Sequence, residues 1–372
     1  MNIKNLASFS LSLSIASSSM GMTCEISSEN NHSQILEAIH FAKKHHEGQF
    51  RKFDGLPYFT HPIRVAKIVK QYTEDSDLII AAYLHDLIED TKVTKRWIKK
   101  KFGKRVANIV NELSSDSSKI EKMGSKAEYL ASKMQKMSLE ALLIKLSDRL
   151  DNVSDFEAAK INFIINYRAE TNYILSKVSR REDLLNSHKS LISRIYKAMH
   201  DGEKLYQAKV FGQKNFRNLK NDITEAGFIF QATKVSALLA KRSASVNHRS
   251  VVYLVGVPKY EELSQYLDLK RNFGTEIADL VEELNSNISL NQSMVSLSDE
   301  ALNIRLAGIL ENLNEIFKME ALADFEEYIQ QTEEKLNGLK NSERDLSQDH
   351  IYFIGRINIV LDRSLKKLKL ME

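Results

Sequence analysis

The sequence contains few of the residues that form turns and covalent cross-links. Its 372 residues include one cysteine, three prolines and 13 glycines. A lone cysteine, Cys24, excludes a disulfide within the chain and a zinc cluster built from several of its own cysteines. Because turn-forming residues are scarce while leucine, isoleucine, lysine and glutamate are frequent, the composition favours long helices over a turn-rich β architecture. We therefore predict an all-α fold.

Strong charge of one sign and long apolar runs are also missing. The net charge is only +4, with 43% hydrophobic and 27% charged residues, as in ordinary globular proteins. This mild positive charge suits a small anionic substrate and does not require nucleic acid, so we expect no nucleic-acid partner. No stretch approaches the roughly 20 apolar residues of a membrane-spanning helix, so we expect no transmembrane segment.

Residues 1–30 have the composition of a leader rather than of a folded domain. Lys4 precedes Leu6–Met22, a moderately apolar stretch that many serines interrupt. A secretory signal normally has a denser apolar run and a more basic start. These residues are compatible both with a disordered leader on a cytoplasmic protein and with an export segment.

The helical periodicity predicts two regions, a domain at 31–200 and a largely helical region at 201–372. In the first, helices are expected after Ser33, from Pro62, over Leu78–Asp90, after Thr94 and after Ser138, with a final stretch over Ile161–His200 that ends near Asp201-Gly202. The segment Leu113–Ser125 is expected to be an exposed loop. In the second region, Val251–Val257 fits either a lone strand or the end of a buried helix.

The third helix carries a cluster of ionisable residues although it is otherwise apolar nearly all round. At about 100° per residue, His85, Glu89, Asp86 and Asp90 fall on one arc. Buried charges are costly unless they are paired or bind a metal. A His-Asp pair alone is also compatible with a buried hydrogen bond and no metal.

Two more residues of ligand type lie on neighbouring helices. His61 precedes Pro62 at the start of one helix, and Asp148 lies on the polar face of another. Together with His85 and Asp86 they provide two imidazoles and two carboxylates. A mixed set of nitrogen and oxygen ligands suits Mn²⁺ or Fe²⁺ better than it suits zinc, which favours thiolate ligands.

Several motifs resemble the hydrolase domain of the RelA/SpoT alarmone enzymes. They are His46-Glu47-Gly48-Gln49-Phe50-Arg51-Lys52, Gly55-Leu56-Pro57-Tyr58-Phe59-Thr60-His61-Pro62, His85–Asp90 with Thr91, and Lys145-Leu146-Ser147-Asp148-Arg149-Leu150-Asp151-Asn152. The order of the motifs and the spacing of the four ligand-type residues are those of that family.

The resemblance implies an HD-type helical bundle that hydrolyses ppGpp or pppGpp at the 3′ position, releasing pyrophosphate and GDP or GTP. It implies that Mn²⁺ is held by His61, His85, Asp86 and Asp148. It implies that Glu89 and Asp90 position and activate the attacking water. It also assigns nucleotide contacts to Arg51, Lys52 and Asn152, and a pocket-shaping role to Tyr58.

The sequence departs from the family pattern at three places. Phe53-Asp54 lengthens the link between Lys52 and Gly55, Asp151 stands where His or Tyr is frequent, and Val153-Ser154-Asp155 lacks a frequent arginine. None of these changes removes a ligand. No synthetase motif follows, so the chain resembles the small, hydrolase-only members with a C-terminal extension.

Two rival functions remain. One is an HD phosphohydrolase for another nucleotide, such as a nucleoside monophosphate or NADPH. The other is a nucleotide-sensing module in which 201–372 binds a protein partner or makes an autoinhibitory contact. Arg51-Lys52 argues against the first rival, and the intact Glu89-Asp90 pair argues against pure sensing.

Overall fold

The computed structural model describes residues 32–52, 55–157, 159–215, 228–255, 262–286, 294–318 and 325–369. Within these ranges the regular structure is helical, with an isolated antiparallel bridge between Phe50 and Pro57. The all-α prediction is therefore confirmed. The expected leader at 1–30 and the Phe53-Asp54 insertion lie outside the described residues.

The chain divides into two compact units, Met1–His200 and Asp201–Glu372. The helices that begin in the first unit are residues 32–45 (α1), Thr60–Val69 (α2), Ser76–Leu84 (α3), Leu87–Asp90 (α4), Lys95–Leu113 (α5), Ser117–Met123 (α6), Lys126–Lys136 (α7), Leu139–Ser154 (α8), Ile161–Val178 (α9) and Asn186–Asn215 (α10). The last of these crosses the boundary between the units.

Helix α3 is the centre of the first unit. Every residue from Leu78 to Leu84 is buried, as its apolar sequence predicts, and the helix packs against α2, α5 and α8. Burying a large aliphatic side chain contributes about 1.5–3 kcal/mol, so this packing fixes α3 firmly. Asp75 caps its first turn by accepting hydrogen bonds from the Asp77 and Leu78 amides. The helices that carry the ligand-type residues are thereby held together.

The predicted continuous helix Leu78–Asp90 is wrong at its centre. Helix α3 ends at Leu84, His85 and Asp86 form a turn, and α4 then begins at Leu87. The reason is local: the Ala82 carbonyl, which would accept the amide of residue 86 in a continuous helix, accepts His85 Nδ1–H at 2.9 Å. The turn points His85 inward and ends the regular helix.

Other helix boundaries also differ from expectation. Pro62 is the third residue of α2 rather than its first. The segment Leu113–Ser125 contains α6, because Asp116 caps it by accepting from the Ser118 and Lys119 amides.

The stretch predicted as one helix over Ile161–His200 is two helices, α9 and α10. The second continues past Gly202, which is buried. A helical glycine costs about 1 kcal/mol relative to alanine, and the burial of Leu205 and Ala208 in the following turns outweighs that cost.

The second unit is a separate helical assembly. Its further elements are Phe228–Lys241 (α11), Val246–Val251 (α12), Glu262–Phe273 (α13), Thr275–Ser286 (α14), a 3₁₀ turn at Met294–Ser296, Asp299–Lys318 (α15), Glu326–Lys340 (α16) and Gln348–Lys369 (α17). The described part of Val251–Val257 is a helix end followed by a turn, not a strand; its last two residues lie outside the described ranges.

The basic amphipathic helix α17 packs on its own unit. Phe353, Ile357 and Leu361 of α17 are buried, and the helix lies against α15 and α16. Among the described helices, none combines the length and the apolar character needed to cross a membrane.

Candidate metal centre

Three helices bring the ligand-type side chains together. His61 lies in the first turn of α2, His85 follows the end of α3, and Asp148 lies within α8. All three are buried, and one potential ligand atom of each lies within 4.8 Å of the others. Asp86 Oδ2 lies 3.5 Å from His61 Nε2 and 3.0 Å from His85 Nε2. Three of the four predicted ligands thus form one buried group, and Asp86 lies beside its two histidines.

Hydrogen bonds from Nδ1 orient both imidazoles so that each Nε2 points towards the other ligand-type groups. His61 Nδ1 donates to Asp151 Oδ2 at 2.6 Å, and His85 Nδ1 donates to the Ala82 carbonyl. With a proton on Nδ1, the neutral imidazole presents the Nε2 lone pair. Both Nε2 atoms face Asp148 Oδ1, at 3.2 Å from His61 and 3.9 Å from His85.

His85 Nε2 supplies the test of whether these residues fit a metal. The atom is buried and, within the described part of the chain, has no hydrogen-bond partner of acceptable geometry, although Asp86 lies close. Leaving a buried polar atom without a partner costs about 1–3 kcal/mol. A cation coordinated by this nitrogen would remove that cost. The donor set of imidazole nitrogens and carboxylate oxygens fits a divalent metal ion.

The charges of the cluster also favour a cation at its centre. Burial opposes ionisation of Asp148, but the Lys145 ammonium and the His61 imidazole hold its pKa well below the usual range. Burial likewise opposes protonation of His61, but hydrogen bonds to Asp148 and Asp151 raise its pKa to about 9. The carboxylates therefore stay ionised and attract positive charge, which a divalent ion would supply in place of the His61 proton.

Two neighbours on α8 hold the Asp148 carboxylate. Lys145 Nζ lies 2.9 Å from Asp148 Oδ2, and Asn152 Nδ2 donates to Asp148 Oδ1 at 2.7 Å. Asn152, expected from the sequence to contact the nucleotide, therefore contacts one of the predicted ligands in this structure.

The two predicted water-activating acids lie on the short helix α4, directly after His85 and Asp86. Asp90 Oδ2 accepts from the Tyr58 hydroxyl at 3.0 Å, and the same hydroxyl lies 2.8 Å from Asp86 Oδ2. Partial burial and the charge of Asp86 raise the pKa of Asp90. Glu89 Oε2 accepts from the Ser115 amide at 3.0 Å. Tyr58 thus bridges a predicted ligand and a predicted base.

The two predicted phosphate-binding residues differ in their surroundings. Lys52 is exposed. Arg51 is buried, forms a close ion pair with Asp155, and lies 3.7 Å from Asp151 Oδ2. A phosphate that binds Arg51 would either displace the Asp155 carboxylate or share the guanidinium with it.

Comparison with known proteins identifies the domain. Residues 38–185 match the family model described as HD domain. The probable guanosine-3′,5′-bis(diphosphate) 3′-pyrophosphohydrolase of Mycoplasma pneumoniae is 30% identical over 51% of this chain, and the Escherichia coli bifunctional (p)ppGpp synthase/hydrolase SpoT is 34% identical over 41%. The chain spans 28% and 22% of the lengths of these two relatives.

A shorter relative decides the family. The Danio rerio guanosine-3′,5′-bis(diphosphate) 3′-pyrophosphohydrolase MESH1 is 38% identical over 32% of this chain, and the match covers 68% of that protein. The chain belongs to the HD-domain hydrolases related to SpoT and MESH1. The predicted enzyme class is therefore confirmed, and the buried group of His61, His85 and Asp148 is consistent with a divalent metal site.

In this HD-domain hydrolase, sequence reasoning missed the residues that surround the ligands. Asp151 on α8, Asp155 directly after α8, and Arg64 on α2 form an ion-pair network behind His61. Helical geometry could have found them, since Asp151 and Asp155 lie within about 60° and 20° of Asp148 around α8.

Arg149, which directly follows Asp148 in the same motif, points elsewhere. It lies about 100° from Asp148 around the helix. Its side chain donates to Thr171 Oγ1 at 2.7 Å and to Glu170 Oε1 at 3.0 Å, and it covers the Tyr167 ring. Arg149 therefore joins α8 to α9.

Proposed function

We propose that this HD-domain hydrolase removes pyrophosphate from the 3′ position of ppGpp and pppGpp, using Mn²⁺ held by His61, His85, Asp86 and Asp148. The observation that carries the proposal is the buried His85 Nε2, which has no hydrogen bond within the described residues and faces the other ligand-type groups. The named activity of the relatives supports the substrate. We place the chemistry in residues 31–200 and a modulating role in 201–372.

The reaction requires a water molecule to attack a phosphorus atom surrounded by negative oxygens. A bound divalent ion would offset that charge and lower the pKa of its water. Glu89 and Asp90 would position that water, and one of the two carboxylates would accept its proton. The Tyr58 hydroxyl, which lies 3.0 Å from Asp90 Oδ2, positions the Asp90 carboxylate.

Arg51 and Lys52 are the proposed contacts to the remaining phosphates. A guanidinium forms two parallel hydrogen bonds to a phosphate, and an ammonium acts as a point charge. Asn152 is the third proposed nucleotide contact, and its side-chain amide lies beside Asp148 on α8. Two adjacent cationic residues, Arg51 and Lys52, suit a substrate with several phosphates better than a nucleoside monophosphate.

We expect Arg51→Gln to raise KM without removing the metal. A charge-assisted hydrogen bond contributes about 1.5–3 kcal/mol, which corresponds to a KM increase of roughly 10- to 100-fold. Arg180→Gln, at an exposed arginine of the same unit, is the control and should leave KM unchanged. Steady-state kinetics and elemental analysis measure both quantities. An unaltered KM in Arg51→Gln would remove Arg51 from the nucleotide site.

The proposed substrate is tested with purified full-length protein, Mn²⁺ and a panel of nucleotides. We expect ppGpp to yield pyrophosphate and GDP in equal amounts, with much slower turnover of GMP and NADPH. Preferred turnover of GMP or NADPH would establish the rival phosphohydrolase. Tight binding of ppGpp without any product, in protein shown to hold metal, would establish the sensing alternative.

A further inference from the structure

Behind the proposed metal centre, the Asp151 carboxylate contacts His61 and Arg64, which both lie on α2. Asp151 lies one turn after Asp148 on α8 and is only 4% exposed. Its Oδ2 accepts from His61 Nδ1 at 2.6 Å, and its Oδ1 accepts from Arg64 Nε at 2.6 Å. His61 and Arg64 are three residues apart on α2, so they project from the same face of that helix.

We propose that Asp151 is a positioning residue for the metal centre: it fixes the orientation and tautomer of His61 so that Nε2 faces the ion. This inference rests on the metal centre of the proposed function, but not on the identity of the substrate.

The arrangement meets what such a role requires. An imidazole can bind a metal through either nitrogen, and a carboxylate that accepts the Nδ1 proton selects Nε2 and makes that nitrogen more basic. The acceptor must itself be ionised and immobile. Hydrogen bonds from His61 and from the Arg64 guanidinium hold the Asp151 carboxylate in place.

Arg64 also excludes an alternative role for Asp151. Its Nη2 donates to Asp151 Oδ2 at 3.1 Å, in addition to the bond from Nε to Oδ1. Both carboxylate oxygens are thereby engaged by Arg64, and one of them by His61 as well. Asp151 therefore supports a ligand of the metal centre and does not serve as a ligand.

Asp155 provides a matched control because it shares the arginines but not the histidine. It caps the C-terminal end of α8 and pairs with Arg51 and with Arg64, whose Nη2 is 3.2 Å from Asp155 Oδ2. Within the described residues its carboxylate accepts hydrogen bonds from these two arginines. Removing Asp155 disturbs the same network of charges while leaving the Asp151–His61 contact in place.

The test is calorimetric titration of metal-free, full-length protein with Mn²⁺. Loss of such an outer partner typically weakens metal binding by about 10- to 100-fold. We expect Asp151→Ala to lie near the upper end and Asp151→Asn near the lower end, because asparagine keeps an acceptor oxygen but loses the charge. Asp155→Ala should bind Mn²⁺ nearly as the wild type does. Thermal unfolding of each metal-free variant shows whether it is folded.

Each outcome separates this inference from the proposed function. Wild type that binds Mn²⁺, with Asp151 variants that bind it equally well, overturns the positioning role alone. Equal weakening in Asp151→Ala and Asp155→Ala also overturns it, because the network and not the His61 contact would then matter. Wild type that binds no divalent metal overturns both. If Asp151→Ala does not fold, the nearly isosteric Asp151→Asn decides.

Discussion

Replacing Asp148 with asparagine should remove the metal and abolish hydrolysis. Asparagine preserves the size of the side chain but removes the negative charge that faces both histidines. A bound divalent ion supplies several kcal/mol of transition-state stabilisation, and about 4 kcal/mol corresponds to a rate loss of roughly 10³-fold. Elemental analysis of purified protein and a pyrophosphate-release assay measure the two effects together.

Asp183→Asn is the control for this change. Asp183 lies on the surface of the same unit, where it pairs with Arg181, and its neutralisation should leave both metal content and rate unaltered. A full metal load in Asp148→Asn would show that Asp148 is not a ligand. Loss of activity with retained metal would instead give Asp148 another role.

Glu89→Gln and Asp90→Asn should keep the metal and lose most of their turnover. Neither residue belongs to the proposed ligand set. Both lie on α4, which directly follows the proposed ligands His85 and Asp86. General acid–base catalysis is typically worth about 10²–10⁴-fold, which is the loss in kcat we expect for the more important of the two. Their kcat values, measured on samples of equal metal content, show which carboxylate accepts the proton.

An exposed acid offers the comparison for these variants. Glu121→Gln, on α6 of the same unit, removes a similar charge away from the proposed centre and should leave kcat unaltered. If Glu89→Gln and Asp90→Asn both turn over at the wild-type rate, neither residue activates water. If either variant loses its metal, the replaced residue is a ligand of the metal rather than a water-activating acid.

Much of the fold could be predicted because helix formation here follows local rules. The apolar sequence of α3 indicated a buried helix, and Asp75, Thr94 and Ser138 cap the helices that follow them, as the sequence indicates. The break after Leu84 could not be predicted in this way. It depends on a side chain, His85, that takes a carbonyl from its own helix, and periodicity does not report such competition.

The ligand-type residues could be predicted from chemical type and spacing, but their supports could not. Asp151 contacts His61 only because α2 and α8 pack with those faces together. That pairing of faces is a tertiary property. The charged partners of Arg51 were missed for the same reason, since Asp155 is 104 residues distant in the chain.

The residues with predicted nucleotide contacts show a further limit of sequence reasoning. Arg51 and Asn152 make contacts within the protein, to Asp155 and Asp148 respectively. A motif indicates which side chain can bind a phosphate, but it does not show which carboxylate already holds that side chain. The energy of exchanging one partner for the other therefore enters the affinity for the nucleotide.

Metal dependence of ppGpp hydrolysis tests the central claim most directly. Full-length protein is stripped of metal with a chelator, assayed for pyrophosphate release from ppGpp, and assayed again after Mn²⁺ is restored. We predict that release is lost on stripping and recovers with about one equivalent of Mn²⁺ per chain, as expected for one centre built from His61, His85, Asp86 and Asp148. Undiminished release from the stripped protein, or none from the protein reloaded with Mn²⁺, would contradict the account.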